Sequence, residues 1–353
     1  MDKCDMIIKN LNCVVYSYFG GMFVEQKHIA NLKLNFLKGL ACIGVVFVHV
    51  SFPGTLGGVI SYAAGFAVPV FFMIAGYFAW EAKAETIKRR LVKIAKIFLL
   101  AYLLFFAYSA AIAIKNQNLG FWLSIHFNWK TAIKYIFFCT VDFAIPLWYL
   151  IAMIETYVLW FFVVKHKKEQ LAVKLLPYLF LLQILFSICC DVLQVAWFWK
   201  INFIVRAMPW FLLGYYLHTE KAENIRKMAS YKVIILVVAG GIISVIPALV
   251  SLPFQVSTVG YILYALGLFV LCLRNPDNRT CKFVEYLGEK LSLNIYIFHT
   301  LVEGVLVFLC GKLLNINIQE ITWLWCKPII VLICTISAAW AVRVALDTIK
   351  SKS

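Results

Sequence analysis

Ionisable side chains lie inside segments of this chain that are apolar enough to enter a lipid bilayer. Residues 34–53 (LNFLKGLACIGVVFVHVSFP) form such a segment, with Lys38 near its start and His49 near its end. In a helix, residues separated alternately by three and four positions share one face. One face of this helix would therefore carry a polar stripe, made of Asn35, Lys38, Cys42, Val45 and His49.

The position of His49 along this helix suggests a role in chemistry. It follows Asn35 by 14 residues, which places its ring about 21 Å further along the helix axis. A charged side chain at that depth costs about 2.5 kcal/mol or more, and ionisable residues there usually mark a pathway or a site. Histidine is also the side chain best suited to proton transfer near neutral pH. The alternative is a histidine that only hydrogen-bonds to a neighbouring helix.

Three later apolar segments, the fourth, sixth and ninth, contain Glu155, Arg206 and His299 at middle depth or in the outer half. Each has a structural alternative: Glu155 and Arg206 could form a buried ion pair, and His299 could bond a neighbouring helix. Charged groups inside a membrane face the bundle interior or a wet cavity, so these three and His49 could line one polar chamber. The eleven cysteines show no spacing typical of metal ligands, and no metal site is predicted.

A basic run precedes the third apolar segment and consists of Lys88, Arg89, Arg90 and Lys93. Basic residues concentrate in cytoplasmic loops, which is sufficient to explain the run. The functional alternative is a binding site for phosphates, because the planar guanidinium of arginine binds phosphate through two parallel hydrogen bonds.

Composition places the chain among membrane proteins. It has 353 residues, of which 63% are hydrophobic and 14% charged, whereas soluble domains are about 45–50% apolar. The formal net charge of +16 indicates orientation in the membrane and contact with anionic lipid or an anionic ligand. No basic region is long or regular enough to predict binding of a nucleic acid.

The predicted fold is all-α, a polytopic membrane bundle of about ten transmembrane helices. Ten segments are long enough, or nearly so, to cross about 30 Å of hydrocarbon. They are residues 34–53, 58–80, 94–114, 145–164, 174–192, 201–218, 232–250, 256–273, 290–311 and 322–345. Basic residues concentrate at both ends and in every second loop. This alternation predicts a multi-pass protein of the cell membrane with both termini in the cytoplasm.

The segments form one domain, residues 33–347, between a poorly ordered or interfacial leader, residues 1–32, and a cytoplasmic tail, residues 348–353. The longest outside loop, residues 115–144, carries aromatic residues at near-helical spacing. They predict an amphipathic helix at the outer interface, which is either an anchor or a lid over a cavity.

Short motifs follow one another along residues 33–345 in a definite order. They are NFLKGLA (35–41) with VVFVH (45–49), VFFMIAGY (70–77), RRLVKI (89–94), LWYL (147–150) and SLNIYIFH (292–299). In type and order this set resembles the acyltransferase-3 family of bacterial integral-membrane O-acyltransferases. The family pattern has Asp, Arg, Ser and Arg where this chain has Asn35, Lys38, Ala75 and Lys93.

The resemblance implies an O-acetyltransferase. Such an enzyme moves an acyl group, usually acetyl, from cytoplasmic acyl-CoA to a hydroxyl of a cell-surface glycan or its lipid-linked precursor. On this hypothesis His49 is the base or a transient acyl carrier, and Glu155 orients a ring or the acceptor hydroxyl. Arg206 or His299 stabilises the oxyanion. The CoA phosphates would be bound by Arg89, Arg90 and Lys93.

Two other functions fit the same composition. A ten-span bundle with histidine and glutamate in its core also suits a proton-coupled transporter or flippase. A third possibility is a glycan-binding subunit of an export complex, without catalytic activity. Acyl-CoA hydrolysis or acetyl incorporation would separate the enzyme from both.

Overall fold

The computed structural model describes residues 31–250, 255–274, 276, 278–313 and 317–352, and these residues contain helices but no β-strand. Most of the predicted leader, residues 1–30, and the last residue of the predicted tail, 353, lie outside the described residues. The helices α1 to α17 are, in chain order, Leu32–His49, Gly54–Ala63, Ala67–Tyr77, Ala84–Lys115, Leu119–His126, Trp129–Phe138, Trp148–Lys165, Glu169–Lys174, Leu176–Val192, Phe203–Arg206, Met208–His218, Glu223–Arg226, Ser230–Leu249, Gln255–Leu273, Lys282–Tyr286, Ser292–Phe308 and Ile321–Lys352. Two π-helical turns, Leu287–Leu291 and Leu309–Leu313, flank α16.

Eight helical segments of the described chain are long and apolar enough to cross a membrane. They are Leu32–His49, Gly54–Tyr77, Ala84–Lys115, Ile145–Lys165, Ser230–Leu249, Val256–Leu273, Lys282–Lys312 and Ile321–Thr348. The predicted all-α membrane bundle is therefore confirmed, whereas the predicted number of about ten spans is not. The difference lies in α9, which is apolar but shorter, and in the sixth predicted span.

The sixth predicted span, residues 201–218, is broken into α10 and α11. The break falls just before Pro209, which occupies the first turn of α11. Proline lacks a backbone N–H and is tolerated in a first turn, but inside a helix it interrupts the hydrogen bonding. Asn202 caps α10 by accepting a hydrogen bond from the Val205 N–H at 3.1 Å. The break leaves Arg206 at the end of α10.

The loop of residues 115–144, predicted to contain one amphipathic helix, contains two, α5 and α6. Asn128 separates them, because its side chain accepts a hydrogen bond from the Thr131 N–H at 3.0 Å and so caps α6. The same kind of cap starts the first span, where the Asn31 side chain accepts from the Leu34 N–H at 2.9 Å. Local sequence thus determines where these helices begin.

Helix α1 lies at the centre of the bundle and packs against α2, α3, α14, α15, α16 and α17. Its contacts with α15 and with the Leu287–Leu291 turn are made through glycines. A Cβ atom at Gly39 would collide with the Val284 carbonyl oxygen, and one at Gly288 would collide with that of Asn35. Such small residues let membrane helices approach closely. The glycine of the first motif therefore has a packing role.

The glycine of the second motif has a similar role between α3 and α11. A Cβ atom at Gly76 would collide with the Phe211 carbonyl oxygen, and one at Gly214 with that of Met73. The two backbones therefore touch where they cross. This contact determines how closely α3 and α11 approach each other.

Candidate active site

Two histidines from distant parts of the chain meet in the bundle. His49 is the last residue of α1 and His299 lies on α16, and their ring centroids are 5.0 Å apart. His299 is fully buried. Its Nδ1 lies 3.2 Å from the Ile295 carbonyl oxygen, and a carbonyl can only accept, so Nδ1 carries the hydrogen. Nε2 then has a free lone pair, and it has no hydrogen-bond partner among the described residues.

His49 opens onto a cavity of about 340 Å³, here called the histidine cavity. Its polar and aromatic lining consists of His49, Ser61, Tyr62, Trp148, Gln183, Arg206, Trp210 and Tyr261. Arg206 reaches this lining because α10 ends there, and its Nε donates to the Lys200 carbonyl oxygen at 3.2 Å. The structure thus brings three of the four predicted catalytic residues, His49, His299 and Arg206, to one region.

A second cavity lies at the other end of α1, here called the basic cavity. It consists of a wider part of about 660 Å³ and an adjoining narrower part of about 270 Å³. Its cationic lining residues are Lys38, Arg89, Arg90 and Lys93. The three residues predicted to bind phosphate therefore line one cavity with Lys38. The acidic residue in this lining is Glu289.

Of the two arginines in the basic cavity, Arg90 makes the shorter hydrogen bond. Its Nη1 donates to the Phe78 carbonyl oxygen at 2.7 Å, and Tyr157 lines the same cavity. Arg89 is more exposed and donates to the Thr86 hydroxyl at 3.2 Å. The contact with Phe78 orients the Arg90 guanidinium before any ligand arrives, which reduces the entropy that binding would cost.

Three aromatic rings, Phe71, Tyr149 and Tyr296, form a contiguous group at the basic cavity. The ring centroids of Tyr149 and Tyr296 are 5.1 Å apart, and that of Phe71 lies 5.9 Å from Tyr149. All three rings line the narrower part of the basic cavity. The Tyr296 ring centroid is also 6.0 Å from that of His299. A continuous series of rings therefore leads from the basic cavity through Tyr296 and His299 to His49.

Glu155, the fourth predicted catalytic residue, has a different neighbour. The Cys139 thiol donates a hydrogen bond to its Oε2 at 3.1 Å, and Glu155 is not in the described lining of either cavity. Burial, and then the nearby carboxylate, raise the pKa of the Cys139 thiol, which keeps the thiol protonated as a donor. This contact favours a structural role for Glu155 in fastening the loop before α7.

Reasoning from the sequence did not identify Tyr149, Tyr296 and Gln183 as site residues. The two tyrosines lie within the motifs LWYL and SLNIYIFH, so their positions in those motifs were a signal. Gln183 lies in an apolar segment outside all the motifs, where a single amide is hard to distinguish from a helix contact.

The fold and the site define a class: a polytopic helical membrane protein with a basic cavity and a histidine cavity at opposite ends of the same helices. The family model described as an acyltransferase domain matches residues 31–344, nearly the whole chain. The chain therefore belongs to the acyltransferase-3 family, as its motifs predicted, and is a membrane acyltransferase. No curated protein and no solved structure matches it significantly.

Proposed function

We propose that this protein transfers an acyl group, usually acetyl, from cytoplasmic acyl-CoA to a hydroxyl of an extracytoplasmic glycan or its lipid-linked precursor. The observation that carries the proposal is the arrangement of two cavities on α1. Lys38 lines one and His49 the other, and Tyr296 and His299 lie between them. Two substrates could therefore approach one reaction centre from opposite faces of the membrane.

The basic cavity suits the donor. Coenzyme A carries several phosphates at one end and a thin pantetheine arm at the other. The phosphates would lie against Arg89, Arg90 and Lys93, where guanidinium groups offer charge-assisted hydrogen bonds. The arm would extend along the narrower part of the cavity towards Tyr296. The thioester would then approach the histidine pair, and no whole substrate would cross the membrane.

The proposed reaction requires a base that takes the proton of the acceptor hydroxyl and an electrophilic carbon for the hydroxyl oxygen to attack. The base, His49, takes the proton of the acceptor hydroxyl, and the oxygen attacks the thioester carbonyl carbon. The resulting oxyanion is stabilised by Arg206 or His299. The C–S bond then breaks, and the CoA thiolate takes the proton from the histidine. In the variant in which His49 carries the acyl group, its ring nitrogen attacks first and the hydroxyl attacks second.

The hydrogen bond of His299 bears on its role. With Nδ1 bound to the Ile295 carbonyl oxygen, Nε2 has a lone pair and can accept a proton. This tautomer supports a role in passing the proton on from His49 better than a role as an oxyanion donor. Arg206 always has N–H donors, so it is better suited than His299 to stabilise the oxyanion.

The membrane setting follows from the charge of the loops. The basic loops and both termini lie in the cytoplasm if the positive-inside rule holds, and the basic cavity then faces the pool of acyl-CoA. The histidine cavity faces the outside, where surface glycans and their lipid-linked precursors are found.

The test is acyl transfer in membrane vesicles. Vesicles from cells that express the protein are given acetyl-CoA labelled in the acetyl group, and lipid-linked and surface glycans are then analysed by mass spectrometry. We expect labelled glycan with the wild type and a loss of about 10²- to 10⁴-fold with His49→Gln. Equal labelling with and without the protein would contradict the proposal and favour a transporter.

A further inference from the structure

Gln183 is a buried amide with an unused hydrogen-bonding group. It lies in the middle of α9 with 5% of its surface exposed, and its Oε1 has no partner among the described residues. A buried polar atom without a partner is costly and rare in folded proteins. Gln183 lines the histidine cavity, so a ligand in that cavity lies beside the amide, and a turn of this side chain would bring the oxygen within reach of a ligand donor.

The cavity around Gln183 has aromatic walls. Trp148, Trp210 and Tyr261 line it, and Trp210 and Tyr261 are buried in the bundle. Tyr261 packs directly on the backbone of Gly65, where a Cβ atom would collide with its ring. Flat aromatic surfaces beside a small number of polar groups suit a ligand with an apolar face and a hydroxylated edge, which describes a sugar ring.

Size and charge narrow the choice of ligand. A volume of about 340 Å³ is near the lower end of ligand sites, which span roughly 300–1,000 Å³, so the cavity suits one ring better than several. Among its described lining residues none is acidic, and Arg206 contributes a positive charge. A ligand that carries an ammonium group would therefore be disfavoured.

We propose that Gln183, Trp210 and Tyr261 form the subsite for one sugar ring of the acceptor, and that the Gln183 amide binds a ring hydroxyl and so contributes to acceptor choice. This inference rests on the proposed function. The amide both donates and accepts, which matches a hydroxyl group. His49 lines the same cavity, so a ring held by Gln183 presents another of its hydroxyls to the base.

The first experiment measures sugar binding directly. The purified protein in detergent is titrated with methyl α-glucoside, N-acetylglucosamine and glucosamine, and tryptophan fluorescence reports binding at Trp148 and Trp210. We expect saturable binding of the two uncharged sugars and weaker binding of glucosamine. Gln183→Leu, which keeps the bulk of the side chain, should weaken binding about 3- to 10-fold, as expected for one hydrogen bond.

Two control variants, one on α9 and one on α2, show whether a loss of sugar binding is specific or reflects general damage to the fold. Cys190→Ala alters a buried residue two turns further along α9, outside the described lining of the histidine cavity, and should leave sugar affinity unchanged. Gly65→Ala should weaken sugar binding because it displaces Tyr261. Gly58→Ala should not, since its Cβ would lie 3.5 Å from that of Ala248, an ordinary contact.

The result that overturns the inference is wild-type protein that binds none of the three sugars, or Gln183→Leu that binds them as the wild type does. Labelled acetyl transfer in vesicles is measured alongside. Transfer without sugar binding would retain the acyltransferase and remove the subsite, whereas sugar binding without transfer would retain the subsite and remove the proposed reaction.

Discussion

Substitution of Arg90 by alanine tests the donor end of the proposed mechanism. In the structure the guanidinium is oriented by the Phe78 carbonyl oxygen at 2.7 Å, and Arg90 lines both parts of the basic cavity. Arg90→Ala removes a positioned cation that would bind a CoA phosphate. We therefore expect it to weaken the binding of acyl-CoA and to leave the binding of the acceptor unchanged.

The magnitude follows from the contact that is lost. A hydrogen bond to a charged group contributes about 1.5–3 kcal/mol, which corresponds to roughly a 10- to 150-fold rise in the Kd of acyl-CoA. Arg90 is only partly buried, so salt screens its charge and the lower half of that range applies at physiological ionic strength. Arg90→Lys keeps the charge but loses the fork, and should fall between the wild type and the alanine variant.

The assay is isothermal titration of purified protein in detergent with a non-hydrolysable acetyl-CoA analogue at low and high salt. Lys88→Ala is the matched control, because Lys88 is an exposed cation in the same run that is not in the described lining of either cavity. If Lys88→Ala weakens binding as much as Arg90→Ala does, only general positive charge matters. The proposed phosphate site would then be refuted.

Three further predictions follow from other parts of the structure. His299→Ala should lower the rate of acyl transfer at least tenfold in the vesicle assay with little change in the KM for acyl-CoA, and an unchanged rate would remove His299 from the mechanism. Gly76→Ala should lower the thermal midpoint, since overpacking costs about 1–3 kcal/mol, whereas Gly120→Ala, with no atom within 4 Å, should not; equal midpoints would contradict the described helix crossing. In intact cells, Asn118→Cys should react with an impermeant maleimide and Glu85→Cys should not, and the reverse pattern would invert the assigned orientation.

The sequence alone was sufficient for the class of fold and for the family. Apolar length determines which segments can enter a bilayer, and that property is local to each segment. The order of the motifs identified the family that the match over residues 31–344 confirms. The polar stripe on the first helix was also readable, because helical periodicity is a local property. Lys38 and His49 both belong to that stripe, and each lines a cavity.

Some helix boundaries were not predicted from the sequence, although the residues that cause them are local. Pro209 marks the break in the sixth predicted span, and Asn128 marks the division of the outside loop into two helices. The mean hydropathy of a segment does not reveal such boundaries, because one proline or one asparagine changes that mean little. The hydrogen bonds of the backbone, however, respond to each of them.

Only the tertiary structure decided which polar groups meet. Sequence distance does not tell which faces of two helices pack together, so the 5.0 Å approach of His49 and His299 could not be read from it. The same holds for the contact of Glu155 with Cys139, a residue of the loop before α7. The role proposed for Gln183 likewise depends on residues of other helices that line the same cavity. A side chain inside a membrane bundle obtains its role from neighbours on other helices, and packing alone brings those neighbours together.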